Sequence, residues 1–171
     1  MNETTLIVLR GPSGSGKSTI AKKIRDHELT QGRKMAYVEQ DYFRRTLLKE
    51  RDVLGGYNAE LIKTVTILLL QEGYNVVLEG IFDRDRYGKM FQDIIVSHPS
   101  KNFFFYFDIS LGETIKRHDT KPNKHEFGEQ EMRTWYKAKN FLDCVREEII
   151  SERSELEETV EYIRKASKLE R

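Results

Sequence analysis

The chain has 171 residues, enough for a sheet covered by helices on both faces and too few for two ordinary domains to be expected. Lysine and arginine number 29 against 28 aspartates and glutamates, so the net charge gives no reason to expect a non-specific nucleic-acid or membrane-surface binder. The single cysteine, Cys144, excludes an internal disulfide and fits a reducing compartment. Its acidic neighbours oppose thiolate formation, so we expect a buried, inert thiol.

Segments for secretion or membrane insertion have recognisable sequence patterns. The first residues lack the basic region and apolar run of a secretory signal peptide. The longest apolar stretch, residues 65–70, is far too short to span a bilayer. We therefore expect a soluble, cytoplasmic protein without a membrane partner.

Runs rich in β-forming residues alternate with helical patterns along the whole chain, which predicts an α/β fold with a parallel sheet. No internal repeat or low-complexity linker interrupts this alternation, so we expect a single domain over residues 1–171. The predicted strands cover about residues 4–10, 35–39, 75–78, 102–108 and 145–150. The predicted helices cover about residues 17–30, 58–72, 84–97, 110 onwards, 129–142 and 154–168. The aromatic fourth strand is expected to be buried between helices and not to form a base-stacking surface.

A glycine-rich loop joins the first strand to the first helix. It matches the pattern G-x-x-x-x-G-K-[ST] at every specified position. In this pattern glycines let backbone N–H groups surround phosphates, the lysine reaches the β and γ phosphates, and the following hydroxyl ligates Mg²⁺. The helix adds its positive N-terminal end. The sequence therefore predicts a site for a nucleoside triphosphate and Mg²⁺. Its residues are Gly11, Ser13, Gly14, Ser15, Gly16, Lys17, Ser18 and Thr19.

Charged residues follow the second strand. Ligands of open α/β sheets bind beyond the carboxyl ends of the strands, so Asp41 and Arg44 should lie on the same edge as the glycine-rich loop. Their spacing of three places both on one face of a helix. The alternative is that Asp41 merely caps that helix.

The third strand ends in Glu79, and an acidic residue there is typical of the carboxylate that approaches Mg²⁺ in this class of nucleotide-binding proteins. We expect Glu79 to join Ser18 near the metal or to contact the acceptor; a structural role is the alternative. Arg86 lies just beyond, where a solvated charge cluster is favoured over a contact with a phosphate or an anionic acceptor.

A polar run over residues 119–129 begins on the same edge and has little that could build a core. It predicts a lid, at about residues 117–133, that closes over phosphates and excludes water. The candidate cationic clamps of the lid are Arg117, Lys121, Lys124 and Arg133.

The loop after the fifth strand is expected beside the nucleotide base.

Together these features resemble the small P-loop kinases typified by bacteriophage polynucleotide 5′-hydroxyl kinase, chloramphenicol phosphotransferase and zeta toxins. The resemblance implies a P-loop NTPase three-layer sandwich in which strand one lies between strands three and four. It implies that Asp41 is the general base and that Arg44 holds the acceptor or the scissile phosphate. It also implies that lid arginines, here Arg117 and Arg133, neutralise the transferring phosphoryl group. Many relatives carry Asp where this chain has Glu79.

The function expected on this basis is transfer of the γ-phosphoryl of MgATP to a hydroxyl of a small-molecule or nucleoside-type acceptor. A polynucleotide 5′-hydroxyl acceptor is weakened by the near-zero net charge, and a protein acceptor stays open. A GTPase-type switch is a further alternative, but residues 85–88 and 123–126 match its motifs poorly. The last alternative is an ATP-binding module without catalysis.

Overall fold

The computed structural model of the protein describes residues 3–120 and 127–169. Within these ranges one five-stranded parallel sheet has the order β2-β3-β1-β4-β5. The position of strand one between strands three and four, implied by the resemblance, is confirmed. The strands are β1 (Leu6–Arg10), β2 (Met35–Glu39), β3 (Asn75–Gly80), β4 (Asn102–Asp108) and β5 (Glu148–Ser151).

Helices cover both faces of this sheet. They are α1 (Lys17–Thr30), α2 (Tyr57–Gln71), α3 (Arg84–Ser97), α4 (Leu111–Asp119), α5 (Glu129–Trp135) and α6 (Leu156–Ala166), with a π-helical segment at Tyr42–Leu47. Alternate residues of β1 point to opposite faces. Leu6 and Val8 pack in one core with α2 and α3, whereas Ile7 and Leu9 pack in the other with α1 and α6. The predicted α/β three-layer sandwich is therefore confirmed.

The aromatic strand β4 has the burial that the sequence predicts. Phe104, Phe105, Tyr106 and Phe107 are all buried, and their neighbour on one side is the fully buried β1. A strand covered on both faces must be apolar along its length, and this requirement explains the consecutive aromatic residues.

The predicted helix over residues 129–142 is wrong in length, because α5 ends at Trp135. Tyr136 is extended, and its hydroxyl donates to the Ile109 carbonyl at 3.2 Å. Beyond it, the Arg10 guanidinium donates to the Asn140 carbonyl at 3.0 Å. The chain therefore leaves the helix because its backbone and side chains are bound from the end of β1 and the start of α4.

The last strand and helix begin later than predicted. The predicted strand over residues 145–150 is shifted, since pairing with β4 begins only at Glu148. The preceding residue, Glu147, turns inward and accepts two hydrogen bonds of 2.8 Å from the fully buried Arg10. The last helix, α6, begins at Leu156 and not at residue 154 as predicted, and Glu155 is its N-cap.

Two other predictions concern the burial of the cysteine and the presence of membrane-spanning helices. Cys144 is half-buried and not fully buried as predicted, and its partial burial raises the pKa of the thiol. None of the helices described in residues 3–120 and 127–169 combines the length and apolarity needed to cross a bilayer.

Candidate active site

The glycine-rich loop wraps the end of β1 and leads into α1. Gly11, Gly14 and Gly16 have φ values of 141°, 81° and 95°, a region that glycine adopts at no steric cost. A Cβ on Gly11 would lie 2.8 Å from the Phe107 carbonyl oxygen, and one on Gly14 would lie 2.7 Å from that of Thr114. The loop is thus fitted against β4 and α4, and these positions admit only glycine without a local shift.

Lys17 is buried at the start of α1, with 6% of its surface exposed. Its Nζ donates to the Pro12 carbonyl at 2.8 Å and to Ser15 Oγ at 3.1 Å. Pro12 and Ser15 both belong to the loop, so the loop itself binds the ammonium group of Lys17. A cation in this place is what the phosphate-binding pattern requires.

Ser18 and Glu79 come together although they lie on α1 and β3. Ser18 Oγ donates to Glu79 Oε1 at 2.8 Å, and the Tyr37 hydroxyl donates to the same oxygen at 3.0 Å. Glu79 is only 4% exposed. Burial raises the pKa of its carboxyl, and the nearby Lys17 charge opposes that rise. Sequence reasoning missed Tyr37, because nothing in the second strand shows which oxygen its hydroxyl reaches.

The Ser18 and Glu79 pair fits Mg²⁺ in chemistry. A hydroxyl and a carboxylate are hard oxygen ligands, and Mg²⁺ commonly takes one or two of these together with waters and substrate phosphates. No cluster of three His, Cys, Asp or Glu side chains that could hold a metal occurs in the described part of the chain. The residues present therefore suit a metal shared with phosphates and not an all-protein site.

Asp41 and Arg44 form the ion pair that their spacing predicts. Arg44 Nη2 donates to Asp41 Oδ1 at 2.8 Å, and Arg45 Nε lies 3.3 Å from the same oxygen. Asp41 precedes the π-helical segment, but its side chain makes no capping hydrogen bond. Within residues 3–120 and 127–169 no partner contacts Asp41 Oδ2. The pair therefore leaves one carboxylate oxygen available.

A cleft of about 330 Å³ opens beside Gly11 and Pro12 of the loop. Two carboxylates, Asp52 and Asp83, line it together with five cations. The cations are Arg44, Arg45, Arg51, Arg86 and Lys137. Asp41 is not a lining residue, but its ion-pair partner Arg44 is. The polar stretches after the second and third strands signalled this region, but Arg51, Asp52 and Lys137 carried no motif of their own.

The two lid arginines lie in different settings. Arg117 donates to the Glu152 carbonyl at 2.8 Å and to the Ser15 carbonyl at 3.4 Å, so it connects the loop to the turn after β5. Arg133 is 58% exposed at its side chain and pairs with Glu129 on its own helix. The structure thus brings Arg117 to the glycine-rich loop and leaves Arg133 on the surface. Lys121 and Lys124 lie outside the described residues.

A second cleft, of about 400 Å³, lies on the other side of the loop. Ser15, Gly16 and Thr19 line one wall, and Ile150 with the turn after β5 lines the other. Arg117 also lines it. Its size suits a nucleoside, and the position of the base beside the loop after the fifth strand stays a prediction.

Asp85, which was considered for a GTPase-type switch, does not lie where that alternative requires it. Asp85 lies in the first turn of α3, after the helix cap Asp83, and not at the end of a strand. Residues 123–126 lie outside the described part of the chain. The described geometry therefore gives this alternative no support.

Comparison with known proteins places these features in a family. A protein-family model described as an AAA domain matches residues 6–140, which is most of the chain. No curated protein matches the sequence.

Solved structures share the fold. An APS kinase from Mycobacterium tuberculosis, in complex with AMPPNP and APS, is 17% identical with a TM-score of 0.70, covering 94% of this chain and 95% of the kinase. A gluconokinase from Sinorhizobium meliloti is 17% identical with a TM-score of 0.63, covering 99% and 94%. A chain of the Pnkp1/Rnl/Hen1 RNA repair complex is 22% identical with a TM-score of 0.55, covering 79% of this chain but 43% of that one. At these identities the likeness concerns the fold, which is that of P-loop small kinases.

Proposed function

The chain belongs to the AAA domain family, and from that premise we propose that it is an ATP-dependent kinase. It would move the γ-phosphoryl of MgATP to a hydroxyl of a small-molecule or nucleoside-type acceptor. We propose one kinase domain over residues 1–171, with a lid at about residues 117–133. The observation that carries the proposal is the arrangement around the glycine-rich loop. A buried lysine and the Ser18 and Glu79 pair lie at the loop, and the wall of the cleft beside it contains Arg44, the ion-pair partner of Asp41.

Phosphoryl transfer requires positioning and charge neutralisation more than covalent chemistry. The loop amides and Lys17 would bind the β and γ phosphates, and the second cleft would hold the nucleoside under Arg117. Ser18 and Glu79 would hold Mg²⁺, which when bound supplies positive charge to the phosphate oxygens. Arg117, tied to Ser15, would bring its charge to the nucleotide side of the loop.

The acceptor hydroxyl oxygen would attack the γ-phosphorus while the bond to the β-phosphate oxygen breaks and ADP leaves. Asp41 would accept the hydroxyl proton on Oδ2, the oxygen that the ion pairs leave available. Its pKa need not be raised, because the proton can move late, when the new bond is largely formed. Arg44 would orient Asp41.

Asp83 is the competing base, because it lines the cleft itself. Both of its oxygens are engaged, however. Oδ1 accepts the Asp85 N–H at 3.1 Å, and Oδ2 pairs with Lys137 at 2.6 Å. A carboxylate held in this way is better suited to fixing Lys137 and the start of α3 than to taking a proton.

The neighbours support a small acceptor. One of them is an APS kinase, another is a gluconokinase, and a third belongs to an RNA repair complex. This range makes the acceptor a matter for experiment. The panel should contain nucleosides, sugars and other hydroxylated small molecules, and 5′-hydroxyl oligonucleotides.

The test uses γ-labelled ATP, Mg²⁺ and this panel with the parent protein, Asp41→Asn and Asp83→Asn. We expect Asp41→Asn to lose transfer by about 10²- to 10⁴-fold and to keep its ATP affinity, as removal of a general base does. Asp83→Asn should retain the larger part of the activity. Transfer by Asp41→Asn at the parental rate would refute the role of Asp41. ATP binding without transfer to any acceptor would refute the kinase function.

A further inference from the structure

The cleft beside the glycine-rich loop has an uneven distribution of charge. At one end Arg86 pairs with Asp52 at 2.8 Å, and Lys137 pairs with Asp83 at 2.6 Å. These pairs balance their own charges. The remaining three cations of the cleft come from the π-helical segment and the loop that follows it, and they form what we name the arginine cluster. Its members are Arg44, Arg45 and Arg51.

The arginine cluster has more positive than negative charge. Arg44 and Arg45 share one oxygen of Asp41, so two guanidinium groups face a single carboxylate. Arg51 is exposed and pairs with no acid in the described ranges of the chain. Arginines that line a cleft with one carboxylate between them favour an anionic ligand.

Unused donors support the same conclusion. Arg44 Nε is buried and has no hydrogen-bond partner among the described residues. A buried donor without an acceptor is costly and calls for a partner that the protein itself does not supply. A ligand oxygen next to this guanidinium would supply the missing acceptor. The planar fork of arginine matches the oxygens of a phosphate, to which it can donate two parallel hydrogen bonds.

Aromatic side chains hold the middle arginine of the cluster. The Arg45 guanidinium carbon lies 5.5 Å from the centre of the Trp135 ring and 5.8 Å from that of Phe127. Cation–π contacts of this kind fix the side chain before a ligand arrives, which lowers the entropy lost on binding. The cluster is thus partly preorganised, with Arg45 set between an acid and two aromatic rings.

We propose that the acceptor carries a phosphate group of its own, held by Arg44, Arg45 and Arg51 while the free hydroxyl faces the loop. This inference rests on the proposed kinase function. Three guanidinium groups suit a doubly charged tetrahedral anion better than a singly charged carboxylate. A volume of about 330 Å³ lies at the small end of ligand sites, which favours a phosphorylated sugar or a nucleoside monophosphate over a long polymer.

The first experiment compares matched acceptors that differ only in charge. Sugars and nucleosides are offered beside their phosphate, sulfate and carboxylate derivatives, and transfer from γ-labelled ATP is measured. We expect transfer to the phosphate monoesters at least tenfold above the neutral parents. Arg51→Gln should raise the KM for that acceptor tenfold or more, since a hydrogen bond to a charged group is lost, and leave the KM for ATP unchanged. Arg51→Lys should recover part of the loss.

Arg146→Gln is the matched control, because Arg146 is also exposed and does not line the cleft. It should behave as the parent. Equal or faster transfer to neutral acceptors would overturn the inference and leave the kinase function intact. A preference for sulfate or carboxylate derivatives would also overturn it. A preference for 5′-hydroxyl oligonucleotides over every monoester would assign the cluster to a nucleic acid and reject the small acceptor.

A second measurement decides the matter if no acceptor is turned over. The glycine-rich loop is first saturated with AMPPNP and Mg²⁺, so that it no longer binds added phosphate. Glycerol phosphate is then titrated by calorimetry, with glycerol and acetate as controls. Binding of glycerol phosphate alone, weakened at least tenfold in Arg51→Gln, would support a phosphate site at the arginine cluster, which the inference requires. Absence of binding, or binding that Arg51→Gln leaves unchanged, would reject it.

Discussion

Glu79 is a buried carboxyl group, and its free energy of ionisation depends on the groups beside it. Burial raises its pKa from the ordinary value of 4.5, while Lys17, Ser18 and Tyr37 lower it by charge and hydrogen bonding. Without nucleotide and metal, ionisation of Glu79 therefore costs more free energy in the folded protein than in the unfolded chain. If Glu79 holds a cation as we propose, the carboxylate thus reduces stability when that cation is absent.

This balance predicts how stability changes with pH. A carboxyl whose pKa is higher in the folded state holds its proton longer there than in the unfolded chain, so its contribution is fully present below pH 4.5 and is lost as pH rises through the folded pKa. Glu79→Gln should remove this loss and make the nucleotide-free protein more stable than the parent at pH 8, by about 1.4 kcal/mol for each unit of pKa shift. The measurement is urea unfolding between pH 4.5 and 8.

Two further variants serve that experiment. Tyr37→Phe removes a donor that favours the carboxylate, so it should steepen the loss of stability with rising pH. Glu157→Gln changes an acid that is 75% exposed and should follow the parent. If parent and Glu79→Gln lose stability in parallel, Glu79 is not the group responsible.

At the scale of elements, the glycine-rich loop and α4 are fitted to each other. A Cβ on Gly14 would meet the Thr114 carbonyl oxygen of α4 at 2.7 Å and Met132 of α5 at 3.2 Å. A Cβ on Gly16 would have nothing within 4 Å. Both glycines have positive φ, so the two positions differ in their surroundings and not in the sign of the backbone angle.

This contrast predicts different costs for the same substitution. Gly14→Ala and Gly16→Ala should each lose about 1–2 kcal/mol from the left-handed backbone. Gly14→Ala should lose about 1–3 kcal/mol more, because an added methyl group overpacks the contact with α4. Urea unfolding measures both, with nucleotide affinity as a second readout. Equal losses would mean that α4 moves away freely and that the loop is not held by it.

Elements with a local signal were predictable, and those set by distant contacts were not. The apolar run of β4 has the bounds that its residues predict, because burial on both faces leaves a continuous signature. The end of α5 and the start of β5 depend on the pairing of Arg10 with Glu147, which lies 137 residues along the chain. No local pattern in either segment shows that the buried Arg10 guanidinium will donate a hydrogen bond to the Asn140 carbonyl.

The same distinction between local signals and distant contacts applies to the residues of the candidate site. The place of the glycine-rich loop between β1 and α1 was predictable, since its spacing is fixed by the backbone itself, and phosphate binding by its residues stays a prediction. Asp41 and Arg44 were predictable as a pair because Arg44 follows Asp41 by three positions along one helical segment. Arg51 and Lys137 were not, because they reach the cleft only when a loop after β2 and the turn after α5 meet beside Gly11.

In the whole molecule, the sheet order explains why two clefts flank one loop. β1 lies in the middle of the sheet, so the loop at its end has β3 on one side and β4 on the other. The cleft lined by Arg117 lies towards β5, and the cationic cleft lies on the side of the segments after β2 and β3. A nucleotide and an acceptor bound in these clefts would meet at the loop. The near-zero net charge therefore conceals a strongly cationic site.

Nucleotide binding at the loop should stabilise the entire fold, because the loop joins the central strand to α1. A ligand at one hundred times its Kd that binds only the folded state adds about 2.7 kcal/mol, which for a chain of this size raises Tm by about 5–10 °C. MgATP should produce this shift in a thermal melt. Lys17→Met should abolish it, whereas Lys23→Met, which changes a half-exposed lysine on the same helix, should retain it. Removal of Mg²⁺ with EDTA should shrink the shift in the parent protein, because Ser18 and Glu79 then have no cation to hold beside the phosphates. An undiminished shift in Lys17→Met would place the triphosphate elsewhere, and the roles proposed for both clefts would fail with it.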